Sequence, residues 1–185
     1  MWRANHGGSM KFTDEQRLIV IMLAEMQKAM NVQGEISADV VATAALSRQE
    51  FAIAYEYGHL FSNSEVPDDF HFVVNVLEMW SMLEDGLNHL DINEQSVLEA
   101  VAGKESARAR FNGFDGNREF NLKSYTTMLV ETLGTFAQFS GRTFNAHTVR
   151  REKYERMLAV FDPIRDDLPG DRYMTASEIG EVLSA

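Results

Sequence analysis

The chain has 185 residues, of which 45% are hydrophobic, 10% aromatic and 24% charged, a profile that excludes disordered, low-complexity and collagen-like classes. A chain this long hides roughly 70% of its unfolded surface and needs no metal or disulfide staple to fold. It has no cysteine, which removes disulfide scaffolds, thiolate metal sites and cysteine nucleophiles together and suits a reducing compartment. The net charge of −11 argues against a broad nucleic-acid footprint.

The first nine residues, Met1 to Ser9, lack the apolar stretch of a secretory signal and read as a flexible leader or expression scar ahead of a start at Met10. Thr13 to Gln16 forms a capping box that opens a first helix. Its Leu18, Ile19, Met22, Leu23, Met26 and Met30 recur at three and four, which predicts one buried stripe ending near Asn31. Ser37 opens a second helical stretch through Val40, Val41, Ala44 and Ala45. A further capping box, Ser47 to Glu50, predicts a kink or fresh start there, with Gly58 or Asn63 as the end.

Pro67, followed by Asp68 and Asp69, suits the start of a third helix over about 67 to 90. That helix is apolar on nearly every side from Phe70 to Leu87, so it is either the centre of the core or a core helix with one side on a partner subunit. A shorter helix runs from Asp91, boxed by Glu94, to Gly103. Beyond the loop Phe111 to Gly116, the pattern predicts a long helix to about Ser140, with Leu122, Tyr125, Leu129, Leu133 and Phe136 on one face and Gly141 to end it. Asn145 is expected to cap the next helix, which carries Tyr154, Met157, Leu158 and Phe161 and should stop near Asp162, before Pro163. Thr175 to Glu178 opens a terminal helix bearing Ile179, Val182 and Leu183. The prediction is an all-α fold, one multihelical domain of about six to eight helices. No apolar run approaches the ~20 residues that span a bilayer, so no membrane span is expected.

Charge is unevenly spread. Residues 1–48 hold five basic and five acidic side chains, whereas 49–103 hold eleven acids and neither Lys nor Arg. Residues 104–156 reverse this with ten bases against six acids, and 157–185 hold two against six. The acids read as the wet faces of two helices, and the split offers complementary patches within one molecule or between copies.

Three constellations bear on chemistry. Glu56 with His59 and Asp68 with His71 pair a carboxylate and an imidazole three apart. Helical di-iron proteins use two such pairs plus two further glutamates, for which Glu25 and Glu84 are available. Gly58 and the first-turn position of Asp68 keep both pairs away from a helix middle, which favours solvated helix termini. Arg142 and His147, five apart, resemble the Arg-x4-6-His element of HEPN-type ribonucleases, which implies action on an RNA 2′-hydroxyl and phosphate; the plain reading is a turn arginine and a surface histidine. Arg150, Arg151, Lys153 and Arg156 are interleaved with Glu152 and Glu155, which reads as an ion-paired face. Phe111, Phe114 and Phe120 lie beside Arg108, Arg110 and Arg118, where core anchoring is favoured over stacking on bases. With no phosphate loop, serine elbow or zinc helix present, no cofactor is expected.

Gly113-Phe114-Asp115, Phe144-Asn145-Ala146 and Lys153-Tyr154-Glu155-Arg156-Met157-Leu158 recur in the same order in one family, followed by Ala176 and Glu178-Ile179. Thr13, Gln16-Arg17-Leu18-Ile19, Tyr57-Gly58 and Glu78-Met79 extend the match toward the N-terminus. On these blocks the chain resembles the YfbU family of small bacterial proteins over most of residues 10–185, with drift at about 31–66 and 88–110. The resemblance implies an all-helical cytoplasmic protein that starts at Met10, and it implies no reaction. Arg142, His147 and both carboxylate–histidine pairs fall outside the matched blocks.

The sequence therefore predicts a cytoplasmic homo-oligomer acting through protein contacts, as a regulatory or stress-linked factor, with nucleic acid disfavoured as a partner. The alternatives are a metal-independent ribonuclease using Arg142 and His147, or a carboxylate/histidine metal protein. The expected binding surface is Gly113, Phe114 and Asp115 with Asn145, because loops held by rigid helices present recognition groups. The competing reading makes Asp115 and Asn145 caps of the helices that follow them.

Overall fold

A computed structural model describes residues 10–61, 65–169 and 172–185; the leader assigned to residues 1–9, and Asn63 as a helix end, lie outside them. Among the described residues there are eight α-helices and one isolated bridge, Phe114 to Asn145. The all-α expectation holds. Chain contacts gather into two compact units, residues 10–71 with 127–135 and residues 72–126 with 136–185.

In unit 1, α1 (Asp14–Ala29) begins at the predicted Thr13–Gln16 capping box. α2 (Ala38–Leu46) is capped by Ser37, and α3 (Phe51–Glu56) starts afresh after Arg48, whose φ is +56°. The predicted Ser47–Glu50 box does not form. Ser47 Oγ donates instead to Thr43 O at 2.6 Å, and Glu50 turns inward to Arg17.

That ion pair sets the rotation of α1. Glu50 is 4% exposed, and a carboxylate so buried demands a partner. Arg17 Nη2 donates to it, while Nε donates to Ala45 O at 3.1 Å and Nη1 to Asp14 Oδ1 at 2.8 Å. With Arg17 turned inward, the side of α1 that packs on α2 carries Val20, Ile21, Ala24 and Gln27, while Leu18, Ile19, Met22, Leu23, Met26 and Met30 point outward. The stripe expected to be buried is 52–63% exposed.

In unit 2, α4 (Asp68–His89), which starts in unit 1, runs through the core with Val73, Val76, Leu77, Met79 and Leu83 wholly buried. It is a central helix, so its apolar circumference is accounted for within the fold. α5 (Ile92–Ala102) has the Asp91–Glu94 box and ends at Gly103, and α8 (Ala176–Ser184) has the Thr175–Glu178 box. α5 and α8 approach so closely that a Cβ on Gly180 would meet Val101 Cγ1 at 2.8 Å.

Two boundaries differ from expectation. The long helix to Ser140 is instead α6 (Phe120–Thr127) and a wide turn over Met128–Thr132, in which Leu133 N–H donates to Met128 O at 2.9 Å; Gly134, at φ +70°, ends it. Gly141 closes only the short turn Ala137–Phe139. α7 (Arg151–Asp167) continues through Pro163. The missing hydrogen bond falls near its end, where fully buried Phe161 anchors the helix and Arg165 pairs with Asp162 at 3.3 Å and Glu78 at 3.5 Å.

Arg17→Met leaves the Glu50 carboxylate buried and unpaired, and should cost about 3 kcal/mol or more in urea unfolding. Adding Glu50→Leu should recover most of that loss, because an apolar pair replaces an orphaned charge; no recovery would contradict the constraint described for α1.

Candidate functional site

The loop singled out in the sequence is a crossing of two chain segments in unit 2. Phe114 N–H donates to Phe144 O at 3.2 Å, and Ala146 N–H to Phe114 O at 2.9 Å. Gly113, at φ +79°, allows the crossing: a Cβ there would stand 2.3 Å from the Phe144 carbonyl group. Its own carbonyl accepts the Tyr154 hydroxyl at 3.1 Å. Phe111, Phe114 and Phe144 are all under 5% exposed and pack with Tyr154 and Phe139, whereas Phe120 is 66% exposed and anchors nothing.

Asp115 does not cap α6, which begins five residues on; its Oδ1 accepts Asn117 N–H at 2.8 Å and Arg118 N–H at 3.3 Å in the turn before that helix. Asn145 does not cap α7, which begins six residues on. Its Oδ1 accepts Gly116 N–H at 3.0 Å and His147 N–H at 3.2 Å, tying the two crossing segments together. The cap of α7 comes from Glu119, distant in sequence. Its buried carboxylate accepts Arg150 N–H at 3.0 Å and Arg151 N–H at 2.7 Å, and also takes Asp115 N–H at 2.8 Å.

Arg142 lies against Phe139, with the guanidinium 4.8 Å from the ring centre, and forks onto Glu84 through Nη1–Oε1 and Nη2–Oε2 contacts of 2.8 Å each. Glu84 also accepts Phe111 N–H at 2.9 Å, so this pair holds the start of the crossing loop. His147 is exposed, at φ +54°. Among the described residues, no hydrogen bond joins its ring to Arg142, whose guanidinium is engaged with Glu84. Glu56 and His59 are exposed on either side of the end of α3, and Asp68 and His71 are exposed in the first turn of α4. Among the described residues no three His, Asp or Glu side chains converge as metal ligands.

Sequence reasoning missed the outward face of α1. Leu18, Ile19, Met22, Leu23, Met26 and Met30 are each more than half exposed. Beside them runs a groove of about 360 Å³ floored by Val20, Ala24, Val41 and Ile53 and bordered by Leu23 and Phe61. Six large apolar side chains on one helix present on the order of 600 Å², the scale at which a surface patch marks an interaction site. The signal lay in the sequence as two stripes on α1, with only the buried arginine telling which faces in.

The family profile of the YfbU domain matches residues 10–185. The chain belongs to the YfbU family. The match includes both the loop crossing and α1, and thus the YfbU domain extends over both compact units. Among the described residues, no helix of this YfbU domain is long and apolar enough to cross a membrane.

The crossing predicts a contrast between two glycines with positive φ. Gly113→Ala should lose about 3 kcal/mol or more in urea unfolding, since it adds a backbone collision to the strain. Gly141→Ala, with open space around the new methyl, should lose about 1 kcal/mol. Equal losses would contradict the close approach at Phe144.

Proposed function

We propose that this YfbU protein works through protein contacts rather than catalysis, and that its first contact is with a second copy of itself, made by the outward face of α1. The observation that carries this reading is the exposure of Leu18, Ile19, Met22, Leu23, Met26 and Met30 on one helix face. Water contact with that much apolar surface is unfavourable by about 25 cal/mol per Å², and a self-complementary face is covered most simply by a twofold partner. Two such faces pressed together bury about 1,200 Å², the lower bound of specific stable interfaces.

Charge supports a second copy at this place. The segment 1–48 is balanced, five bases against five acids, in a chain of net charge −11. Pairing through α1 therefore brings together the least repulsive part of two acidic molecules. The neighbouring groove is apolar and open, a receptacle for a methionine or leucine from the facing helix. Methionine, flexible and polarisable, suits a surface that repacks on association. A regulatory role fits a protein whose action depends on whether this face is covered.

Sedimentation equilibrium at tens of micromolar should give a dimer for the wild-type chain. Met22→Glu with Leu23→Glu should give a monomer with an unchanged far-UV spectrum, because both side chains are already exposed. A wild-type monomer, or a dimer that survives the double substitution, would overturn the proposal.

A further inference from the structure

A second feature, in unit 2, is independent of self-association. A cleft of about 450 Å³ opens between the C-terminal part of α5, the segment 106–112 and the start of α7. Arg108, Arg110, Arg150 and Lys153 line it, and among the described residues no lining side chain is acidic. In a protein of net charge −11, four cations around one concavity without a carboxylate form a local positive field that attracts anions.

The acids beside the start of α7 are engaged or exposed. Glu119 is held on the backbone amides of Arg150 and Arg151. Glu155 accepts Arg151 Nε at 2.9 Å, and Glu152 is exposed. The alternation of signs along 150–156 thus disappears in three dimensions, because Arg150 and Lys153, three apart, share the cleft side. Burial, then Arg150 and Arg156, push the Lys153 ammonium below its usual range, as expected for an ammonium partly withdrawn from water beside two other cations.

Trp80, 5% exposed, and Tyr154, 3% exposed, form the buried aromatic wall of the cleft. Burial pushes the Tyr154 phenol up, and Arg150 first, then hydrogen bonding that includes the Trp80 indole N–H, oppose that rise. An anionic oxygen pairs with the guanidinium forks and the ammonium that line the cleft.

We propose that this cleft binds a small molecule carrying a phosphate group, with Arg108, Arg150 and Lys153 contacting the phosphate. The volume fits a nucleoside monophosphate or a sugar phosphate, within the range of small-molecule sites. A long polyanion is disfavoured, because beyond the cleft it meets the acidic remainder of the chain.

The full chain, with Trp2→Phe so that Trp80 reports alone, is titrated with AMP and with inorganic pyrophosphate by calorimetry and indole fluorescence at low salt. One saturable site is expected, with a change in Trp80 emission. Arg108→Gln and Lys153→Gln should each weaken binding about tenfold, while Arg165→Gln, an exposed ion-paired arginine elsewhere in unit 2, should not. Tighter AMP binding would assign a nucleotide, tighter pyrophosphate binding a bare polyphosphate; either supports the phosphate site. Absence of saturable binding, indifference to Arg108→Gln and Lys153→Gln, equal loss with Arg165→Gln, or tighter binding of a short single-stranded RNA than of AMP would overturn the proposal.

Discussion

The Arg17–Glu50 ion pair is the constraint from which the character of unit 1 follows. A buried carboxylate is tolerated only with a partner of fitting geometry, and Glu50 finds it in a guanidinium that also serves Ala45 O. An arginine cannot be held inward at one helical position without directing the residues beside it outward. Leu18 and Ile19 follow Arg17 in sequence, and the helical repeat carries the same outward direction to Met22, Leu23, Met26 and Met30. The exposed apolar face is thus the geometric counterpart of a buried charge, and it makes α1 a surface element with something to cover.

Unit 2 uses carboxylates in the same way, as joints between distant segments. Glu84 gathers Arg142 and Phe111 N–H, and Glu119 gathers Asp115, Arg150 and Arg151 N–H. Together with the Gly113–Phe144 approach and the Tyr154 hydrogen bond, they fix the loop crossing on which α7 is seated. Glu119 is engaged with backbone amides, and the side chains of Arg150 and Lys153 line the cleft. Gly113, Phe114 and Asn145 tie the two crossing segments together.

Much of the fold was legible because local chemistry decides it. Thr13, Ser37, Asp91 and Thr175 cap helices where they stand, since a cap involves only the next three residues. Non-local competition accounts for the departures. Ser47–Glu50 has the form of a capping box, but Arg17 offers Glu50 a buried partner. Asn145 has the form of a cap, yet its carbonyl finds Gly116 N–H across the crossing. Pro163 should end α7, but buried Phe161 and the Arg165 ion pairs outweigh the one lost hydrogen bond. On α1 the six large apolar residues dominate any reading of periodicity, and one buried arginine reverses it. The cleft was hidden for a related reason: adjacent signs in sequence say little about a helix face, where only residues three or four apart are neighbours.

The central claim, that the outward face of α1 is covered by another copy, is tested most directly by following methionine methyl resonances through a dilution series. The account predicts concentration-dependent shifts for Met22, Met26 and Met30, with buried Met79 and Met157 unchanged. Shifts absent from all five methyls, or shared equally by the core methionines, would contradict it.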